Sequence, residues 1–317
     1  MNARLRLLLP ASLACAALAC SAACGGGAQD LPAAETAALV SAPAKLLAPE
    51  PSAPEPARRA FTPVVAPGEG LELAEESVAE KSEKRKYEIS LTFPQLKGRP
   101  SANAVRFNRA VRALVAREVR DFKRAYGDSA GRPSDEKVWE NVYDSLDGRY
   151  EVIHFDDDFV SLRFGLFAYG RGAAHSTQFH RVLNFDLKGG RALALGDLFK
   201  PGARHLEALA ANCIADLKRQ DEAEHRREVA RLMGGGKPAS HAGVRVPDSD
   251  FQIGAGPEAD NYRAWNLAAE GVVVSFAACQ IGGCADGAKE VLVPYSALEE
   301  VLNEGGPAAR LNSRQPR

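Results

Sequence analysis

The chain predicts an α+β fold: a largely antiparallel sheet packed with two or three helices, preceded by a disordered tether. Three observations carry that expectation. Several short runs alternate apolar and polar residues at the period of a half-buried strand. Two longer runs repeat apolar residues at the helical period. The two kinds of segment are interspersed, and turn signals such as Lys188-Gly189-Gly190 join neighbouring strands.

The first strand is expected over residues 86–93, where Tyr87, Ile89, Leu91 and Phe93 alternate with polar residues. Pro94 and Gly98-Arg99-Pro100 end it. Ser101 can then cap a helix reaching Tyr126, with Phe107, Val111, Leu114, Val115, Phe122 and Tyr126 on one face and its Arg and Lys residues on the other. The segment 127–133 breaks that pattern. Strand-like runs follow at 149–155, 159–169, 178–186 and 191–195. Pro201-Gly202 introduces a second helix over 203–219, continued by a charged helical stretch to Met233. Gly254-Ala255-Gly256-Pro257 reads as a loop. Further strands are expected at 262–267, 271–277 and 290–293, then a short helix at 297–302. Residues 304–317 show no pattern and are expected to be a disordered tail.

The N-terminal quarter reads differently. Residues 1–6 carry Arg4 and Arg6, residues 7–19 are apolar, and small residues lead to Cys20 and Cys24-Gly25-Gly26-Gly27. This order is that of a secretory signal too short to persist as a membrane-spanning helix. The cysteine at its exit resembles the signal of bacterial lipoproteins, which implies removal of residues 1–23, lipidation of Cys24 and anchoring in the cell envelope; Cys20 is the alternative acceptor. Residues 24–84 are rich in Ala, Pro, Glu and Ser, with seven prolines between Pro43 and Pro67. Such a composition buries too little apolar area to offset chain entropy, so a disordered tether is expected there.

Composition excludes some partners. There are 40 basic and 41 acidic residues, and losing Arg4 and Arg6 with the leader leaves 38 against 41. A near-neutral chain argues against nucleic acid. Export favours a disulfide between Cys279 and Cys284, which flank a glycine pair; a zinc site is the weaker alternative, since no second Cys/His pair at ligand spacing accompanies them. Cys213, on the second helix, reads as a buried thiol.

Residues 159–200 contain Gly172-Ala173-Ala174-His175, Leu183-Asn184-Phe185-Asp186 and Asp197-Leu198-Phe199, and Val293-Pro294-Tyr295 closes a later segment. Together they resemble the extracytoplasmic domain of RsiV-type anti-sigma factors, found also in PdaC-type peptidoglycan deacetylases. The resemblance spans about 85–303, divided into an N-terminal part at 85–160 and a C-terminal part at 161–303. It implies the fold and a cell-envelope setting, and lysozyme or a peptidoglycan fragment as ligand. Anti-sigma activity and deacetylation are not implied, because the segments that carry them in those families have no counterpart in this sequence.

No nucleophile elbow, zinc-protease helix or phosphate-binding glycine loop is found, so no catalytic residue, metal or cofactor is expected. Asn184-Phe185-Asp186 reads as a strand entering a turn, and Asp197 as a capping carboxylate. The ligand-binding candidates are His175, set among small residues, and the acidic run Asp156, Asp157 and Asp158, whose charge would steer a basic protein such as lysozyme. His175 and His180 on one strand would face opposite sides. The expected function is a non-enzymatic, lipid-anchored binding or sensing module of the envelope. The alternatives are a wall-glycan hydrolase using His175 with Asp186 as acid/base partners, and a structural accessory lipoprotein.

Overall fold

In the computed structural model the described residues are 61–68, 70–98, 101–126, 141–235 and 245–313. All belong to the compact unit from Glu55 to Arg317. The leader, Cys20, Cys24, residues 24–60 of the expected tether and the break at 127–133 lie outside them.

The architecture is α+β, as expected. A large sheet has strand order β2-β3-β4-β5-β6-β7, formed by Leu71–Ser82 (β2), Tyr87–Gly98 (β3), Asp144–Phe155 (β4), Phe159–Tyr169 (β5), Thr177–Asp186 (β6) and Arg191–Ala192 (β7). The two-residue β1 (Val64–Val65) pairs parallel with the far end of β4. All other pairings are antiparallel except β3–β4, which the helix α1 (Ala102–Tyr126) joins as a parallel crossover. A second sheet, β8 (Trp265–Leu267), β9 (Gly271–Phe276) and β10 (Lys289–Pro294), is antiparallel throughout. It packs with α2 (His205–Met233), α3 (Asp248–Ala255) and the short α4 (Pro307–Asn312).

Two large cores follow from this layering, with a small third cluster of Phe61, Ile153, Ala268 and Val273. On one face of the large sheet, Phe107, Val111, Val115 and Phe122 of α1 meet Ile89, Leu162 and Phe185. Ser101 caps α1 as expected, its Oγ accepting the Ala104 amide at 2.9 Å. The other core lies between α2 and the small sheet, around Leu209, Leu217, Val272, Val274 and Tyr295. Cys213 is buried there, and burial pushes its thiol up to about 12.

Several expectations are corrected. The tether does not extend to residue 84: Leu71–Ser82 is a full strand registered against β3, Leu71 opposite Gly98 and Ser82 opposite Tyr87. Its sequence is acidic because it is an edge strand, where charged residues facing water also discourage pairing with other chains. The tail is not patternless either. In α4 the side chains of Ala308 and Leu311 are buried, and Arg310 lies 4.5 Å from the Phe159 ring centroid and ion-pairs with Asp186. Gly254 and Ala255 end a helix rather than forming a loop, β8 starts only at Trp265, and Leu195–Leu198 and Tyr295–Leu298 are single 3-10 turns. Among the described residues no helix is long and apolar enough to cross a membrane.

Candidate functional site

α1 covers one face of β4–β6, and the small sheet covers only one end of the other. The boundary of that cover is polar. Glu151, Arg163 and Val182 stand side by side on β4, β5 and β6. The Arg163 guanidinium donates to Glu151 Oε2 at 2.6 Å, to Ser275 Oγ at 2.9 Å and to Glu290 of the small sheet. Its side chain is 13% exposed, so a cation has been withdrawn from water and needs both carboxylates. Ser275 and Glu290 are themselves register partners across β9 and β10.

One rank further along are Arg149, Gly165 and His180, and beyond them Asp147, Phe167 and Gln178. The period-two alternation of strands puts these on the face that carries Arg163. Here the small sheet no longer covers them: Arg149 and Asp147 are exposed, while Phe167, Tyr169, Gln178 and His180 are half-buried. Gly165 leaves open space where a side chain would stand. Burial, and after it the Arg163 charge, push the His180 imidazole down to about 4, so it is neutral at pH 7. Its Nδ1 has no hydrogen-bond partner among the described residues. The strip thus offers a half-buried aromatic ring, amide and guanidinium donors and an open patch of backbone, while the His180 Nδ1 is itself buried. Flat ligands rich in hydroxyl and amide groups suit such a surface.

The residues singled out from sequence fall elsewhere. His175 is exposed in the bend before β6, its Nδ1 3.1 Å from the carbonyl oxygen of Ser176. Asp186 ends the same ten-residue strand. The two are therefore separated by roughly 30 Å of extended chain and cannot act as one acid/base pair. Asp186 is instead consumed locally, accepting the Gly189 amide at 2.8 Å and pairing with Arg310.

Asp156, Asp157 and Asp158 form the β4–β5 turn, where each carboxylate has an internal task. Asp156 accepts the amides of Asp158 and Phe159 at 2.8 and 2.7 Å, and contacts His154 Nε2 at 3.2 Å. Burial raises its carboxyl, but these bonds outweigh that and hold it down at about 2. Asp157 accepts the Gly68 amide at 2.9 Å, and the buried Asp158 lies 2.8 Å from Lys188 Nζ. The run is thus a fastening of the turn, with only Asp157 exposed.

The disulfide between Cys279 and Cys284 is formed, with an S–S distance of 2.05 Å. Within its loop Ile281 enters the α2 core and Gln280 donates to the carbonyls of Gly254 and Asn261. Asp197 accepts the Ala194 amide at 2.8 Å and pairs with Arg191, so its capping points backwards into its own turn. Among the described residues no group of three or more His, Cys, Asp or Glu side chains is arranged to hold a metal.

The fold and site together define an α+β domain in which the small sheet packs through β8 against β4, β5 and β6 of the larger one. Residues 196–296 match a family model described as a protein of unknown function, DUF3298. That span contains α2, α3 and the small sheet, hence Ser275 and Glu290, while Glu151, Arg163 and His180 precede it. Over 213 residues the chain is 19% identical to the peptidoglycan-N-acetylmuramic acid deacetylase PdaC of Bacillus subtilis (strain 168), a match covering 67% of this chain and 40% of that relative. Two crystal structures of DUF3298 family proteins are similar at 17% identity. One is from Bacteroides fragilis, with TM-score 0.41, covering 77% of this chain and 99% of its own. The other is from Pseudomonas aeruginosa PAO1, with TM-score 0.44, covering 73% and 95%.

Proposed function

We propose that the chain is an extracytoplasmic cell-envelope protein that binds peptidoglycan or its soluble fragments through the open face of β4–β6. The observation that carries this reading is the uncovered strip beside His180, where Phe167 lies between Asp147 and Gln178 and Arg149 flanks Gly165. A sugar ring can lie on the aromatic face while the polar side chains take its hydroxyl and acetamido groups. Arg149 is suited to the carboxylates of a wall stem peptide. The name of the Bacillus relative, an enzyme of peptidoglycan, supports the ligand class. Lipidation of Cys24 would hold this face close to the wall. The role read here is sensing or presentation; His175 and Asp186, at opposite ends of β6, do not form an acid/base pair with each other.

Co-sedimentation of the full chain with purified peptidoglycan sacculi tests the reading. The wild type pellets with sacculi, and Phe167→Ala lowers the bound fraction by a factor of about ten, the loss expected for an aromatic anchor. Wild-type protein that stays in the supernatant, or a Phe167→Ala variant that pellets equally well, overturns it. Lysozyme at the same concentration serves as the competing ligand, and capture of lysozyme with no capture of sacculi also overturns it.

A further inference from the structure

Opposite the candidate site, α1 presents a second surface that the glycan-binding reading does not use. The helix carries Arg106, Arg109, Arg112, Arg117, Arg120, Lys123 and Arg124 against only two acids, of which Glu118 is buried. The six arginines are all exposed, in a chain whose overall charge is −1. From Arg106 to Arg124 the row runs for roughly 27 Å along the axis. Arg112 and Lys123 pair with Glu76 and Glu80 of β2, Arg117 with Glu118 and Arg120 with Asp121. Arg109 and Arg124 ion-pair with no carboxylate among the described residues, so the face stays cationic.

Beside this row, between α1 and the β2–β3 hairpin, opens a groove of about 490 Å³. Its floor is Val78, Phe93, Val115 and Val119, and Arg112, Arg120 and Lys123 stand around it. Near the start of the same helix Val105 is 58% exposed. Cations along a line are what any polyanion needs. Cations around an apolar groove are what an amphiphile needs, with its anionic group on the rim and its hydrocarbon on the floor.

We infer that the outward face of α1 docks on an anionic phospholipid bilayer, with the groove accepting part of one acyl chain. The length of the arginine row selects a surface of many headgroups over a single small molecule. The apolar floor selects lipid over a soluble polyanion. α1 cannot insert as a free amphipathic helix would, because its apolar side is already buried against the sheet. Docking is therefore peripheral, salt-sensitive and independent of any lipid attached at Cys24.

The test is co-sedimentation of the full chain with phosphatidylcholine vesicles and with mixed phosphatidylcholine–phosphatidylglycerol vesicles. The readout is the ratio of the two partition coefficients, which cancels any contribution of the apolar leader common to both. Wild type favours the anionic vesicles, and raised salt removes the preference. At about fivefold per arginine, Arg109→Gln with Arg124→Gln lowers the ratio roughly twenty-five-fold. Both side chains point to water, so folding is kept, and thermal melting checks it. The control pair Arg204→Gln with Arg263→Gln removes the same charge from exposed sites elsewhere and changes the ratio by less than about twofold. A wild-type ratio of one, a control that loses as much as the α1 pair, or binding to soluble polyphosphate without binding to vesicles each overturns the inference. Sacculus binding by the α1 variant stays intact, which separates this surface from the glycan site.

Discussion

Asn184 shows how much a single side chain can be asked to do. Its Oδ1 accepts from Ser161 Oγ at 2.7 Å and from the Leu267 amide at 3.0 Å, and its Nδ2 donates to the Trp265 carbonyl at 2.8 Å. Asn266 answers from the small sheet, donating to Ser161 Oγ and the Leu162 carbonyl, each at 2.9 Å. These bonds join β5 and β6 to β8 with every group out of water. Asn184→Ala would strand several of them, and chemical denaturation should show a loss of about 2–3 kcal/mol. A loss within experimental error would mean that apolar contacts alone hold the sheets together.

Two other residues contribute to the acid sensitivity of stability. An unfolded histidine takes up its proton near pH 6.5, whereas folded His180 waits until about 4. Between those values the unfolded chain binds the extra proton, so the contribution is whole above about 6.5 and falls as pH drops to 4, by roughly 3 kcal/mol. Asp156 acts in a lower window: its folded carboxyl titrates near 2 instead of 3.8, so its contribution is whole above 3.8 and is lost as pH falls toward 2. Stability measured against pH should therefore show an upper step between about 6.5 and 4, and a lower loss to which Asp156 contributes. His180→Gln removes the upper step and leaves the lower one, and a single unchanged transition in that variant would refute the assignment.

At the level of elements, legibility followed burial. α1 was readable with its cap because its core face is continuous over 25 residues. β5 and β6 were readable because one side of each is packed by α1. β2 is hard to read in the sequence because its apolar positions, Leu71, Leu73 and Val78, are only partly buried and are outnumbered by glutamates. Composition there resembles a tether, and only pairing with β3 makes it a strand. α4 was missed because six residues give too short a period to read, although Leu311 is 3% exposed. Leu311→Ala should cost about 2–4 kcal/mol, measurable as a lowered denaturation midpoint. A disordered tail would show no change.

On the scale of the whole molecule, the class of fold is legible in the sequence and the proposed binding face is not. The sequence candidates His175 and Asp156–Asp158 sit in an exposed bend and in the β4–β5 turn, where the aspartates also make local bonds. The proposed strip is assembled from single residues on three strands: Arg149, Phe167 and Gln178 share a face only once register is known. One signal was available in the alternation of β6, which sets His180 on the same side as Gln178 and Asn184. What no local pattern announces is that the small sheet stops at Arg163 and Glu290, leaving the rest of the face open.

Peptidoglycan binding is proposed for that open face alone. Titration calorimetry of the full chain with soluble muropeptides measures it directly, using wild type beside Phe167→Ala and Arg149→Ala. Saturable binding by the wild type, weakened in both variants while their thermal melting is unchanged, is the predicted result. Wild-type binding of equal strength in both variants, or no heat of binding at all, would contradict it.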